Sequence, residues 1–171
     1  MYKIDQYDLT IVQLLMEDGR MSSSDIARKI MDLTERSVRY RINRLISEGI
    51  IKIGAIANPL SLGFSVIADI FIEVEPSQIL EVAHKLVDYE CVSYVACSTG
   101  ERDVSIQVIA RSNAEVYGFV TDVVGKIPGV RMTTTSIVPL ILKDVYDWRI
   151  PTSACTDSYQ ESKNGIRGPA K

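Results

Sequence analysis

Thr34-Glu35-Arg36-Ser37-Val38-Arg39-Tyr40-Arg41-Ile42-Asn43-Arg44-Leu45-Ile46-Ser47-Glu48-Gly49 is the stretch from which the fold is read. Turned through ~100° per residue, Val38, Ile42, Leu45 and Ile46 fall on one face of a helix. Arg36, Tyr40, Arg44 and Ser47 fall on the opposite face, flanked by Ser37 and Asn43. Thr34 suits an N-cap, because its hydroxyl accepts an otherwise unpaired backbone amide, and Gly49 suits a stop. Working outward, Ser22-x-x-Asp25 matches a capping box that opens an earlier helix running to about Ile30. Asp5 precedes a still earlier apolar run of Leu9, Val12, Leu15 and Met16 that stops at Asp18-Gly19. Only Met31-Asp32-Leu33 separates the second helix from the third. So short a turn forces the two to cross steeply, which is helix-turn-helix geometry.

The chain has 171 residues, 46% of them hydrophobic, enough for real cores. It has no uninterrupted apolar run near the ~18 residues a membrane helix needs, and no basic-then-apolar leader pattern; it reads as cytosolic. Three cysteines, Cys91, Cys97 and Cys155, form no CxxC pair, so neither a disulfide framework nor a zinc site is signalled, and they read as small buried apolar residues. Met16, Met21 and Met31 read as core filler, and His84, the only histidine, as a packing residue; no catalytic residue, metal site or cofactor is expected. The formal net charge of −3 argues against indiscriminate coating of nucleic acid, but it hides an asymmetry. Residues 1–63 carry nine basic and eight acidic residues, and residues 64–146 six and eleven. Thr34 to Lys52 alone holds five basic residues against two acidic ones.

The candidate contacts to double-stranded DNA are therefore Arg36, Ser37, Arg39, Tyr40, Asn43, Arg44 and Ser47. Arg and Asn bond to guanine and adenine edges, and Ser and Tyr to phosphates. The plainer alternative is an ordinary solvated helix face. Arg41 lies at the edge of the buried face, where a contact to protein and one to phosphate are equally open.

After Gly49, Ile50 to Ile56 reads as a β-wing or linking strand, and Asn58-Pro59 with Gly63 marks a boundary. From Phe64 the pattern becomes strand (64–75), helix (78–87), strand (92–98), strand (103–110), helix (113–126) and strand (130–142). That βαββαβ order predicts a ferredoxin-like sandwich with both helices on one sheet face. Strands apolar on both alternating sides then predict face-to-face dimerisation of the other face. The fold class is α+β: a winged helix-turn-helix domain over 1–63, a ferredoxin-like domain over 64–146, and a tail over 147–171. The tail reads either as disordered or as an arm anchored by Trp148 and Ile150 on a neighbouring subunit.

These residues resemble the Lrp/AsnC (feast/famine) family. Ile4-Asp5-x-x-Asp8, Asp18-Gly19-Arg20, Asp25-Ile26-Ala27, Leu33-Thr34-x-x-Ser37-Val38-x-x-Arg41-Ile42-x-x-Leu45 and Gly49-Ile50-Ile51 look like its helix-turn-helix. Thr99-Gly100-Glu101-Arg102-Asp103 resembles its TG-x-x-D loop, and Ile127-Pro128-Gly129-Val130 with Thr133-x-Thr135 its final strand. One departure is Asp32, where the family usually has Gly; Asp tolerates a left-handed turn. The resemblance implies a sequence-specific transcription regulator, homodimers assembling to octamers, and a small effector, commonly an amino acid, bound in the second domain of a RAM/SAM-type fold. A zwitterion needs donors for its carboxylate and an acid for its ammonium. Gly100, Glu101, Arg102, Asp103, Thr133 and Thr135 are the candidate effector contacts. For the loop the alternative is a tight turn, and for the threonines plain β-propensity. A sirohaem decarboxylase-like enzyme and an effector sensor without DNA binding are the competing readings.

Overall fold

The computed structural model describes residues 2–100 and 102–155, in two compact units. The first joins residues 2–56 to 144–155, and the second spans residues 57–143. The division thus falls at 56/57 rather than at the expected 63/64, and the first part of the expected tail belongs to the N-terminal unit; residues 156–171 lie outside the described residues.

In the N-terminal unit α1 spans Gln6–Glu17, α2 Ser23–Ile30 and α3 Glu35–Ser47. Each begins at a side chain that accepts a backbone amide: Asp5 from Asp8, Ser22 from Asp25 and Thr34 from Ser37. At α1 the cap is reciprocal. The Asp5 carboxylate accepts the Asp8 amide at 2.8 Å, and the Asp8 carboxylate accepts the Asp5 amide at 3.2 Å. Ile11, Ile26, Val38 and Leu45 are fully buried where the three helices meet, with Val12 beside them, and Leu9 of α1 is also fully buried. Ile150 packs against the same core, and the Cys155 thiol donates to the Asp5 carbonyl.

Several expectations are corrected here. Residues 50–56 form no strand. The amides of Ile50 and Ile51 donate to the Leu45 carbonyl at 2.9 and 3.3 Å, turning the chain back onto the core behind Gly49, whose φ of 69° needs glycine. The left-handed residue of the turn is Met31 (φ 61°, ψ −32°), not Asp32. Met31 is also 86% exposed and Met16 43%, so neither fills a core; Met21 does pack against one. An L-residue at positive φ stores roughly 1–2 kcal/mol, so Met31→Gly is expected to raise the stability of this unit by about 1 kcal/mol despite the added chain entropy. A fall in the thermal midpoint would mean that the turn is unstrained.

In the second unit β1 spans Val66–Val74, α4 Ile79–Val87, β2 Val92–Cys97, β3 Val104–Ala110, α5 Asn113–Gly118 and β4 Val130–Ile137. The antiparallel sheet has the order β2-β3-β1-β4, the ferredoxin-like order expected. The expected helix over 113–126 changes character: α5 passes into a π turn at Phe119–Val123 and a 3-10 turn at Val124–Lys126. Strand β4 ends at Ile137, five residues short of Leu142. Ala68, Ile70, Ile72 and Val74 of β1 and Val104, Ile106, Val108 and Ala110 of β3 are buried, most of them with Val82, Leu86 and Val124 in one core. The alternate residues, among them Ile67, Phe71 and Ile109, are only half-buried on the opposite face. His84 is exposed on α4, and Cys97 is exposed rather than buried. Among the described residues no helix is long and apolar enough to cross a membrane.

Candidate nucleic-acid interface

The period of α3 gives it two unlike faces. Val38 and Leu45 are wholly buried, and Arg36, Arg39, Tyr40, Asn43, Arg44 and Ser47 are exposed, with Ser37 half-buried. Four of these seven expected contacts, Arg36, Ser37, Tyr40 and Arg44, line one open cleft of about 750 Å³. Arg39 instead pairs with Glu35 one turn before it. The Ser47 hydroxyl donates to the Arg44 carbonyl, and the Ser37 hydroxyl lies 3.0 Å from that of the cap, Thr34. Asn43 and Ser47 remain on the exposed surface without lining the cleft.

The cleft is also lined by Leu33 and by two residues that sequence reasoning did not single out, Tyr2 and Lys3. Arg41 is resolved as a contact to protein. One of its guanidinium nitrogens donates at 2.8 Å to both Asp5 and Asp8. Asp8 is fully buried and holds a third bond, accepting the Tyr2 hydroxyl at 2.6 Å. Helix α3 is thereby tied by charge to the first turn of α1, on top of the apolar packing beneath. The Asp5-x-x-Asp8 spacing carried a readable signal, since a carboxylate at N3 reaching the N-cap amide is a capping pattern.

The electrostatics follow from that geometry. Burial alone would raise the Asp5 carboxyl, but the Asp8 amide and the Arg41 guanidinium outweigh it and hold it below the usual carboxylate range. For Tyr2, burial and the bond to Asp8 push the hydroxyl up to about 12, so it remains a neutral donor. With Asp5 already paired to Arg41, the cleft offers Lys3, Arg36 and Arg44 to a ligand. These are cations on one face of α3 and on the segment before α1, suited to a polyanion.

In the second unit the expected effector residues are less convergent. Glu101 lies outside the described residues. Gly100 takes a φ of 137° and Arg102 places its guanidinium 4.5 Å over the Phe71 ring on the open sheet face. Asp103 is engaged within the fold, its carboxylate accepting the Val74 amide at 2.8 Å where β1 shifts register. Thr133 and Thr135 pair with Ile72 and Ile70, so they lie on the helix-covered side of β4. The next residue between them, Thr134, pairs with Phe71 and shares the open face with Arg102. No group of His, Cys, Asp or Glu that could hold a metal occurs among the described residues.

Two family models match the chain in the expected order: winged helix-turn-helix DNA-binding over residues 4–52 and Lrp/AsnC ligand binding domain over residues 67–146. The chain is 38% identical to the HTH-type transcriptional regulator FL11 of Pyrococcus abyssi over 136 residues, 79% of this chain and 89% of the relative. The structure of AsnC from E. coli superposes with a TM-score of 0.78 at 23% identity, covering 85% of this chain and 99% of that one. A transcriptional regulator of Neisseria meningitidis, solved in complex with L-Met, superposes with a TM-score of 0.78 at 23% identity, covering 86% and 96%. At such identities the two solved structures speak to the fold.

Proposed function

The chain belongs to the Lrp/AsnC family of DNA-binding transcription regulators with a ligand-binding domain, and from that premise we propose that α3 is its reading helix, entering the major groove with Arg36, Tyr40 and Arg44 foremost. The observation that carries this reading is the convergence of these side chains with Lys3 in one open cleft. Arg44 and Arg36 would meet guanine edges, and Tyr40, Ser37, Arg39 and Ser47 the phosphates, with Asn43 placed for adenine. The work is binding rather than catalysis, and its place is the cytoplasm.

The half-buried face of the sheet, with Ile67, Phe71 and Ile109, supports a homodimer closed through that face, assembling further to an octamer. A two-fold dimer would set two copies of α3 about 34 Å apart on a pseudo-palindrome. The effector of the second domain is an amino acid in this reading, as one is bound in the Neisseria structure. Its carboxylate would meet the loop amides from Gly100 to Arg102 and the Arg102 guanidinium, the Asp103 amide being held by the Ile72 carbonyl. Its ammonium would meet the acidic side chains of the same loop; Thr133 and Thr135, on β4 beyond β1 and on the helix-covered side, would reach it only from another subunit of the assembly. Effector binding between dimers would then alter their assembly and so the spacing of half-sites bound.

The test is direct. A duplex selected from a random pool by the wild-type protein should bind Arg44→Ala about 10- to 100-fold more weakly, the scale of one good arginine–guanine pair. The log-log salt slope should become shallower if the same side chain also neutralises phosphate. Unchanged affinity would remove Arg44 from the reading face. For the effector, a thermal-shift screen of the twenty amino acids, with sedimentation in the presence of any that raises the midpoint, reads both binding and assembly.

A further inference from the structure

The Arg44 guanidinium sits 4.3 Å over the ring of Tyr2, a residue outside α3 that approaches it from the segment before α1. The same tyrosine is held from its other end: its hydroxyl donates at 2.6 Å to Asp8, which is fully buried and itself bonded to Arg41. Arg44 has four rotatable bonds and, as a free side chain, would lose about 2 kcal/mol of rotamer entropy on being fixed against a base. Stacking occupies the flat face of a guanidinium and leaves the N–H donors at its rim pointing outward. A ring clamped by a buried carboxylate is therefore a platform that presents an arginine fork in one plane.

We propose that Tyr2 is a positioning residue for base reading: it holds the Arg44 guanidinium in register with a base edge, while Asp8 and Arg41 hold Tyr2 in register with α3. The proposal rests on α3 being the reading helix. It adds that part of the specificity of this protein resides before its first helix, in a residue that need not touch a base. Tyr2 and Lys3 line the same cleft as Arg36 and Tyr40, so duplex DNA seated on that face of α3 would lie beside them.

The experiment uses the full chain, the duplex selected by the wild-type protein, a set of duplexes changed at one base pair each, and an unrelated duplex of equal length. Tyr2→Leu removes the ring, and Tyr2→Phe keeps the ring and removes only the link to Asp8. Circular dichroism establishes that each is folded at the assay temperature. Tyr2→Leu is expected to lose roughly tenfold of the discrimination at one base pair, the effect of a partly desolvated cation–π contact, with affinity for the unrelated duplex nearly unchanged. Arg44→Ala should lose discrimination at that same base pair, and the double variant Tyr2→Leu with Arg44→Ala should do no worse than Arg44→Ala alone. Tyr2→Phe, which keeps the ring but frees it from Asp8, should recover only part of what Tyr2→Leu loses, and full recovery would remove the Asp8 clamp from the proposal.

A uniform loss across all duplexes would show that Tyr2 only stabilises the unit and would overturn the proposal. So would additive losses at different base pairs. If Arg44→Ala leaves every base preference intact, the reading face itself has been misassigned, and the Tyr2 proposal falls with it. If Arg44→Ala loses discrimination and Tyr2→Leu does not, only the Tyr2 proposal falls.

Discussion

Replacing Asp8 with alanine is expected to destabilise the N-terminal unit by about 3 kcal/mol, seen as an early transition in urea by helical circular dichroism and by the fluorescence of Trp148, the only tryptophan in the chain. Trp148 belongs to the same unit, so its signal separates this transition from that of the ferredoxin-like domain. Asp8 is fully buried and satisfies the Asp5 amide, the Tyr2 hydroxyl and Arg41 at once. Removing one partner of a buried ion pair costs about 3–5 kcal/mol because the other charge is left desolvated. The lower end applies here, since the Arg41 side chain keeps 24% of its exposure and retains Asp5. Asp8→Asn preserves the shape and two acceptor sites, and should lose less than half as much. Equal losses for Ala and Asn would show that charge, not hydrogen bonding, accounts for the whole effect.

The same network sets an acid limit. The folded carboxyl of Asp5 is lowered by the Asp8 amide and Arg41 against the opposing pull of burial. A depressed carboxyl stabilises the folded state fully above its unfolded value, near 4, and that contribution is lost as pH falls toward the folded value. In the Arg41→Met variant the Asp5 share of this acid dependence should shrink, because one of the causes of the depression has gone.

Leu45→Ala is the second large effect, expected to cost about 2–5 kcal/mol. Leu45 has no exposed surface, packs in the apolar seam between α3 and the other two helices, and its carbonyl anchors the turn through the Ile50 and Ile51 amides. The functional signature differs from that of Arg44→Ala. Apparent DNA affinity should fall only with the folded fraction, while the ranking of duplexes stays as in the wild type. A changed ranking at low temperature, where the variant is folded, would mean that the apolar face of α3 also shapes the reading surface.

The faces of α3 were legible because a period of 3.6 applied to residues 34–49 leaves few choices: Val38 and Leu45 are buried, and Arg36, Tyr40 and Arg44 share a cleft. Caps at Asp5, Ser22 and Thr34 were legible for a similar reason, since each is a local exchange between a side chain and an amide three residues on. The βαββαβ order was readable from alternation, and the sheet order β2-β3-β1-β4 accords with it. Ile50 to Ile56 misled because β-branched composition reports propensity but not the presence of a partner strand. Met31 misled because a flexible apolar side chain was taken for core, when the backbone needed a positive φ at that position. The alternation of β4 was visible, yet which side of it faces the helices was not. The pairing of Thr133 with Ile72 turns that side chain toward α4 and α5, and leaves Thr134 on the open face.

Sequence alone determined what is periodic or local: three capped helices, the third with one apolar and one basic face, and a ferredoxin-like domain following them in the chain. Tertiary structure decided what depends on residues far apart in the chain meeting. Arg41 is taken from phosphate by Asp5 and Asp8, thirty-six and thirty-three residues away, and Tyr2 is brought under Arg44. No period or spacing encodes such meetings, because a charge or a ring finds its partner only after the apolar seam of Ile11, Val12, Ile26, Val38 and Leu45 has fixed how α1 crosses α3.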